Sequence, residues 1–295
     1  MLVGGLAAST LLVWCTLPDV RSLVRDNPKT TAFIEIRRVQ AAHDGRKFEL
    51  RWTWKPLARV SPYLRDAVVH SEDPRFWRHE GIDWDAVQHA ARADWKAGEM
   101  KYGASTITQQ VAKNLYLSPS KNPLRKLREW LIAGRLERHL SKDRILEIYV
   151  NIAEWGDGVF GAEAAARRWF GVSAAELSPV QAARLAVALP NPKRRAPSVR
   201  SRELARKAAN LIIAMRNDGV IDAGAMQAAL IELGVAKRAP GGVAPVEPEP
   251  EPAAAPDEPD EPDVPDVPPA TPDTAPAPAR DEADAAPAQA DATSG

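Results

Sequence analysis

Gly103-Ala104-Ser105-Thr106-Ile107-Thr108-Gln109-Gln110 reads as the start of a helix. Thr106 followed three residues later by Gln109 is a capping-box pair, whose side chains satisfy two backbone N–H groups that the first turn leaves without partners. Beyond it, Ile107, Val111 and Leu115 recur at helical spacing, while Gln110, Lys113 and Asn114 share the opposite side. The segment is predicted to pack one face and to offer polar groups on the other.

Similar signals lie on both sides of it. Asp83 can cap a helix that puts Trp84, Val87, Ala91 and Trp95 on one side. Asn122-Pro123 starts another, with Leu124, Leu127, Leu131 and Leu136 as its apolar face, and Ser141 starts the next. Ser173 with Glu176, and Ser178 with Pro179 and Gln181, open two more, while Gly219 and Gly234 suit helix stops. Strand-type alternation is scarce between Leu50 and Leu233, so a mainly α domain is expected over residues 50–235.

Two carboxylates stand out within it. Glu72 adjoins Asp73 and precedes Phe76, Trp77 and His79. A neighbouring charge and nearby apolar rings push a carboxyl pKa upward, as a general base near neutral pH requires. Glu129 follows Arg125 by four residues and Lys126 by three, with Arg128 adjacent, so on a helix it sits among cations. That setting favours the carboxylate and suits orienting a basic cluster better than donating a proton.

Charge is distributed unevenly. From residue 241 to the end there are 14 Pro, 14 Asp plus Glu and one basic residue, Arg280, in 55 positions without an aromatic. Such a segment cannot bury enough apolar surface to offset the entropy of ordering, so residues 240–295 are expected to form a disordered, acidic, Pro-rich tail. The remainder carries 38 basic against 25 acidic residues, a net +13. A basic domain favours phosphorylated or lipid partners. No helix-turn-helix, zinc finger or aromatic RNA-binding strand is present, and nucleic acid is not expected.

Residues 2–17 form an uncharged run. As a helix it would reach roughly 24 Å against the roughly 30 Å of a bilayer core. A membrane anchor over residues 1–20, followed by a juxtamembrane linker over 21–49, is the expectation. A cleaved signal peptide is the rival, but no basic region precedes the run and no Ala-x-Ala site follows it. Arg21, Arg25 and Lys29 lie after the run, which by the positive-inside rule argues against a cytoplasmic N-terminus unless upstream basic residues are missing from this start. Cys15 is the single cysteine and supports neither a disulfide nor a metal site.

In order, the chain carries Glu72-Asp73-x-x-Phe76-x-x-His79-x-Gly81, the Gly103–Gln110 segment, Arg125-Lys126-x-Arg128-Glu129, Ile145-Leu146-Glu147-x-Tyr149-x-Asn151, and Gly158-x-x-Gly161 leading to Trp169-Phe170-Gly171. Together these resemble the five motifs of glycosyltransferase family 51, the peptidoglycan polymerase module of penicillin-binding proteins and of monofunctional biosynthetic transglycosylases. Leu189-Pro190-Asn191-Pro192 also fits, and the length resembles the monofunctional branch. Ala104, where glycine is common, and the Lys121-x-Pro123 loop depart from the pattern.

The resemblance implies a lysozyme-like, mainly helical fold that polymerises lipid II into a growing glycan strand at the inner membrane, with the catalytic domain in the periplasm. By motif position, Glu72 matches the general base and Glu129 the second carboxylate. Lys113, Lys121, Arg125, Lys126 and Arg128 match residues that contact pyrophosphate or support those contacts, and Ser105, Gln109 and Gln110 line the donor side of the cleft. Phe76, His79 and Gly81 are expected to be structural. Membrane lipid and cell-wall synthesis proteins are the implied partners. No resident metal is assigned from ligand spacing, while a divalent cation, Mg2+ or Mn2+, is compatible with a pyrophosphate donor.

Other chemistries compete. A membrane-anchored lysozyme-like hydrolase could use Glu72 as an acid, although cleaving a neutral glycosidic bond needs no cation cluster. An inactive glycan-binding protein would keep the fold but make no polymer. Ser118-x-x-Lys121 and Ser120-x-Asn122 match transpeptidase patterns, but they overlap in one loop and Lys-Thr-Gly is absent.

Overall fold

A computed structural model describes residues 17–97, 104–120, 122–190, 197 and 201–236. The apolar run up to residue 16 with Cys15, Gly103, Lys121, the Asn191-Pro192 pair and the tail at 240–295 lie outside the described residues.

The described chain is mainly helical, and its helices begin where short polar side chains can cap them. In chain order they are α1 (Ala32–His43), α2 (Pro62–Glu72), α3 (Trp84–Ala97), α4 (Ile107–Tyr116), α5 (Pro123–His139), α6 (Lys142–Ile152), α7 (Ala162–Phe170), α8 (Pro179–Ala188), α9 (Arg202–Asn217) and α10 (Ala223–Glu232). Thr106 and Gln109 form the predicted capping box on α4, and Ser178 with Gln181 forms another on α8. Asp83, Asn122 and Ser141 accept backbone N–H bonds at the starts of α3, α5 and α6. Ser173 and Glu176 also form a capping box, yet it opens only the 3-10 turn Ala174–Glu176. The helical path stops there because Ser178 precedes Pro179, which disfavours helical backbone at that serine, and α8 starts afresh.

Helix α4 lies against α1, α5 and α6, whereas α2, α8 and α9 pack on one another and α10 packs on α9. Ile107, Val111 and Ala112 of α4 are fully buried, as are Ile132 and Leu136 of α5 and Ile145 and Ile148 of α6. Ala67, Ala182, Ala183 and Ala208 are also fully buried, which suits close approach of α2, α8 and α9. Each fully buried Leu or Ile contributes about 1.5–3 kcal/mol, so this seam is what holds α4 in place.

A small sheet of β1 (Arg51–Trp52), β2 (Glu154–Gly156) and β3 (Val159–Phe160) runs in the order β1-β3-β2. Arg51 pairs with Val159 and Trp52 with Phe160 in parallel, and β2 meets β3 antiparallel with an irregularity between Glu154 and Gly156. Strands of two or three residues are too short to produce a visible alternation in sequence.

Residues 21–49, expected as a linker, contain the 3-10 turn Arg21–Val24 and α1. Leu17, Val20, Leu23, Ile34 and Ile36 are buried. Arg144 donates to the carbonyls of Leu23 and Asp26, and Arg135 to those of Leu17 and Pro18. On α1, Arg37 forms a buried pair with Glu154 at 2.8 Å. This segment is therefore part of the folded body.

The apolar side predicted for α3 is turned outward, with Trp84 56% and Trp95 89% exposed. On α5, Leu136 is buried but Leu124 and Leu127 are exposed. Periodicity shows which residues share a face, not whether another element covers it. Among the described residues no helix is long and apolar enough to cross a membrane.

Candidate active site

Glu72 is the last residue of α2, and the backbone leaves helical geometry at Asp73 (φ −161°, ψ 75°). Its Oε2 accepts a hydrogen bond from Gln110 Nε2 at 2.7 Å. The amide oxygen of Gln110 in turn accepts from the hydroxyl of Tyr149 on α6 at 3.2 Å. Burial first, then the charge of Glu72 and a hydrogen bond to it, push the Tyr149 hydroxyl well above its ordinary pKa. The hydroxyl therefore stays protonated and remains a donor.

Asp73 serves a different purpose from its neighbour. It is buried, accepts the backbone N–H of Ile107 at 3.0 Å and receives His79 Nε2 at 2.9 and 3.0 Å. The predicted Glu72–Asp73 charge pair is thus divided, because a buried carboxylate is stabilised by N–H partners, and Asp73 finds them in His79 and at the start of α4. The Gly81 carbonyl accepts from Thr106 Oγ1 at 2.6 Å, and Phe76 is fully buried. Phe76, His79 and Gly81 are structural in this arrangement, as expected.

Glu129, on α5, is 2% exposed and salt-bridged on both oxygens, to Arg125 Nη1 and Lys126 Nζ, each at 2.6 Å. Lys126 Nζ also donates to Ser105 Oγ at 3.1 Å, and Arg125 Nε donates to the Ser120 carbonyl at 2.5 Å. Ser105 precedes the cap of α4, while Gln110 lies on that helix. The start of α4 thus joins the Lys126–Glu129 cluster to the Glu72 network.

The other predicted residues fall in different settings. Gln109 is buried, and its side chain accepts from the Thr106 backbone at 3.1 Å, so its role here is to close the cap. Lys113 places its ammonium over the Phe33 ring at 5.6 Å from the centroid, a cation–π contact with α1. Arg128 is half-buried next to Glu129. Lys121 lies outside the described residues.

The later motifs build the frame. Glu147 Oε2 accepts the Leu57 N–H at 2.8 Å, and Asn151 bonds both the N–H and the carbonyl of Lys55 at 2.8 Å. Gly161 has φ +81°, and a Cβ there would lie 2.7 Å from the Asn151 carbonyl oxygen. Tyr149 is the functional neighbour that sequence reasoning left without a role. Its signal was present, since it sits two residues from each of these tethers and so on the other side of α6.

Elsewhere, Asp66, His70 and Asp218 bring possible ligand atoms within 4.8 Å of one another. Sequence spacing could show only the Asp66–His70 half, because Asp218 arrives from the end of α9.

The chemistry available is a half-buried carboxylate held by an amide donor on α4 and a buried carboxylate that organises two cations, one of them hydrogen-bonded to Ser105 before the same helix. This combination suits removal of a proton from a hydroxyl near an anionic leaving group. Residues 40–216 match the family described as Transglycosylase. A biosynthetic peptidoglycan transglycosylase of Aromatoleum aromaticum is 49% identical over 168 residues, covering 57% of this chain and 73% of that protein. Its namesake from Methylobacillus flagellatus is 46% identical over 193 residues, covering 65% and 84%. One from Azoarcus sp. is 48% identical over 168 residues, covering 57% and 73%. A match that spans more than half of the sequence and takes in all five motifs makes this chain a member of the transglycosylase family.

Proposed function

We propose that this protein is a peptidoglycan glycosyltransferase that polymerises lipid II into glycan strands, with release of undecaprenyl pyrophosphate. In this reaction Glu72 takes the proton of the acceptor 4-hydroxyl as its oxygen attacks C1 of the donor sugar. The bond from C1 to the pyrophosphate oxygen breaks, C1 inverts, and the leaving group departs with the bonding electrons. Arg125 and Lys126, held by Glu129, offset the charge that develops there, with Arg128, Lys113 and Lys121 as further cations. Ser105 and Gln110 form the donor side, Gln109 caps the helix that carries Gln110, and a divalent ion carried by the pyrophosphate is compatible with this arrangement.

The observation that carries the proposal is the placement of the Glu72–Gln110 contact and the Lys126–Ser105 contact around the start of one helix. A hydrolase acting on a neutral glycan has no use for the second. The exposed Trp84, Trp95, Leu124 and Leu127 suit a lipid-linked substrate at a membrane surface. In this proposal residues 1–20 anchor the protein in the inner membrane as a single pass, residues 50–235 form a lysozyme-like catalytic domain in the periplasm, and 240–295 is a solvated arm.

The test is incubation of the detergent-solubilised full chain, and of Glu72→Gln, with labelled lipid II, followed by gel separation. Long strands from the parent protein alone are expected. Full activity in the variant, unchanged lipid II with both proteins, or shortening of preformed glycan would each overturn the proposal.

A further inference from the structure

The geometry points to Tyr149 as a positioning residue for the base: its hydroxyl holds the Gln110 side chain in place where the amide nitrogen reaches Glu72. This inference rests on the assignment of Glu72 as the base.

Tyr149 is 1% exposed, in the core between α4 and α6. A phenylalanine would fill that space equally well, and burying a hydroxyl without a partner is costly, so what tyrosine adds is the bond it makes. Its O–H donates to Gln110 Oε1 at 3.2 Å, and Gln110 Nε2 donates to Glu72 Oε2 at 2.7 Å. The two ends of the amide are nearly equal in size but opposite in hydrogen bonding. With the amide turned over, its NH2 could still donate to the phenol oxygen, but its oxygen would face a carboxylate and the 2.7 Å bond would be lost. Glu72 therefore selects the end of the amide it meets, and Tyr149 holds the amide in place.

Burial first, then the nearby Glu72 carboxylate, keep the Tyr149 hydroxyl protonated, so it remains available as a donor. Its backbone is firmly held, since Glu147 and Asn151 tether the same helix to residues 55–57. The chain Tyr149, Gln110, Glu72 thus brings a fixed donor from the core to one oxygen of the base.

The experiment compares Tyr149→Phe, Gln110→Ala, the double variant and Glu72→Gln in the lipid II assay across pH, with thermal melts of each full-length protein. Tyr149→Phe is expected to lose about tenfold in kcat with KM nearly unchanged, the scale of one hydrogen bond. The acidic limb of its kcat/KM profile should move to higher pH, because a carboxylate that loses a dependable donor holds its proton more tightly. Gln110→Ala should move the limb the same way, and the double variant should be no slower than Gln110→Ala alone. A parental rate and pH profile in Tyr149→Phe, or losses that multiply in the double variant, would overturn the inference. If Glu72→Gln is inactive while Tyr149→Phe matches the parent, only the positioning role fails. If Glu72→Gln remains active, the base assignment fails and this inference with it.

Discussion

Asp73 and His79 are joined by contacts of 2.9 and 3.0 Å from the imidazole Nε2 to the two carboxylate oxygens. The same carboxylate receives the Ile107 N–H, so the residue after Glu72 ties the end of α2 to the start of α4. That tie brings the helix that carries Glu72 to the helix that carries Gln110.

Replacing Asp73 with Ala leaves both His79 and the Ile107 N–H without this partner in a buried setting. A loss of about 3–5 kcal/mol is expected, on the scale for breaking a buried pair. Urea denaturation of the parent and variant measures it, and a change below about 1 kcal/mol would contradict the role assigned here.

Lys126→Ala removes one ammonium that contacts both Ser105 and Glu129. Charge-assisted bonds contribute about 1.5–3 kcal/mol each, so kcat/KM for lipid II should fall by about 10- to 100-fold. The thermal midpoint should shift little, because this side chain is 36% exposed. Initial rates against lipid II concentration test the expectation, which fails if kcat/KM is unchanged.

Two glycines with similar backbone angles should respond differently to alanine. Gly161 (φ +81°) would place its Cβ 2.7 Å from a backbone oxygen, whereas Gly171 (φ +72°) has nothing within 4 Å. Gly171→Ala should cost about 1–2 kcal/mol from left-handed geometry alone. Gly161→Ala adds a clash with backbone and should cost about 3 kcal/mol or more. Equal losses in paired chemical melts would refute the distinction.

Asp66 gives a pH-dependent prediction. Burial, partly opposed by His70 and reinforced by Asp218, lifts its carboxyl from 3.8 to about 6. Because the folded state binds this proton more tightly, the associated stability is fully present below pH 3.8 and is lost as pH rises through about 6. Asp66→Asn should therefore stabilise the protein by about 1–2 kcal/mol at pH 8 and have little effect near pH 3.5. Melting curves at the two pH values decide the matter, and a stabilisation that is larger in acid would show the sign to be wrong.

The sequence by itself determined the elements that depend on near neighbours. Thr106 with Gln109, Asn122 with Pro123 and Ser178 with Gln181 mark helix starts because caps act within three residues. The Arg125–Lys126–Glu129 cluster was legible because one turn of helix brings those residues together. The mainly helical fold followed from the same short-range rules, whereas the five ordered motifs were legible through their resemblance to a known family.

Only the tertiary structure decided what each carboxylate does. Glu72 meets Gln110 across 38 positions and Gln110 meets Tyr149 across 39, distances at which spacing carries no information about contact. It likewise gave Asp73 to His79 and Ile107, packed residues 17–43 into the body, and left Trp84 and Trp95 outside. A helical face becomes core, cleft or surface according to what packs against it, and that is a property of the whole chain.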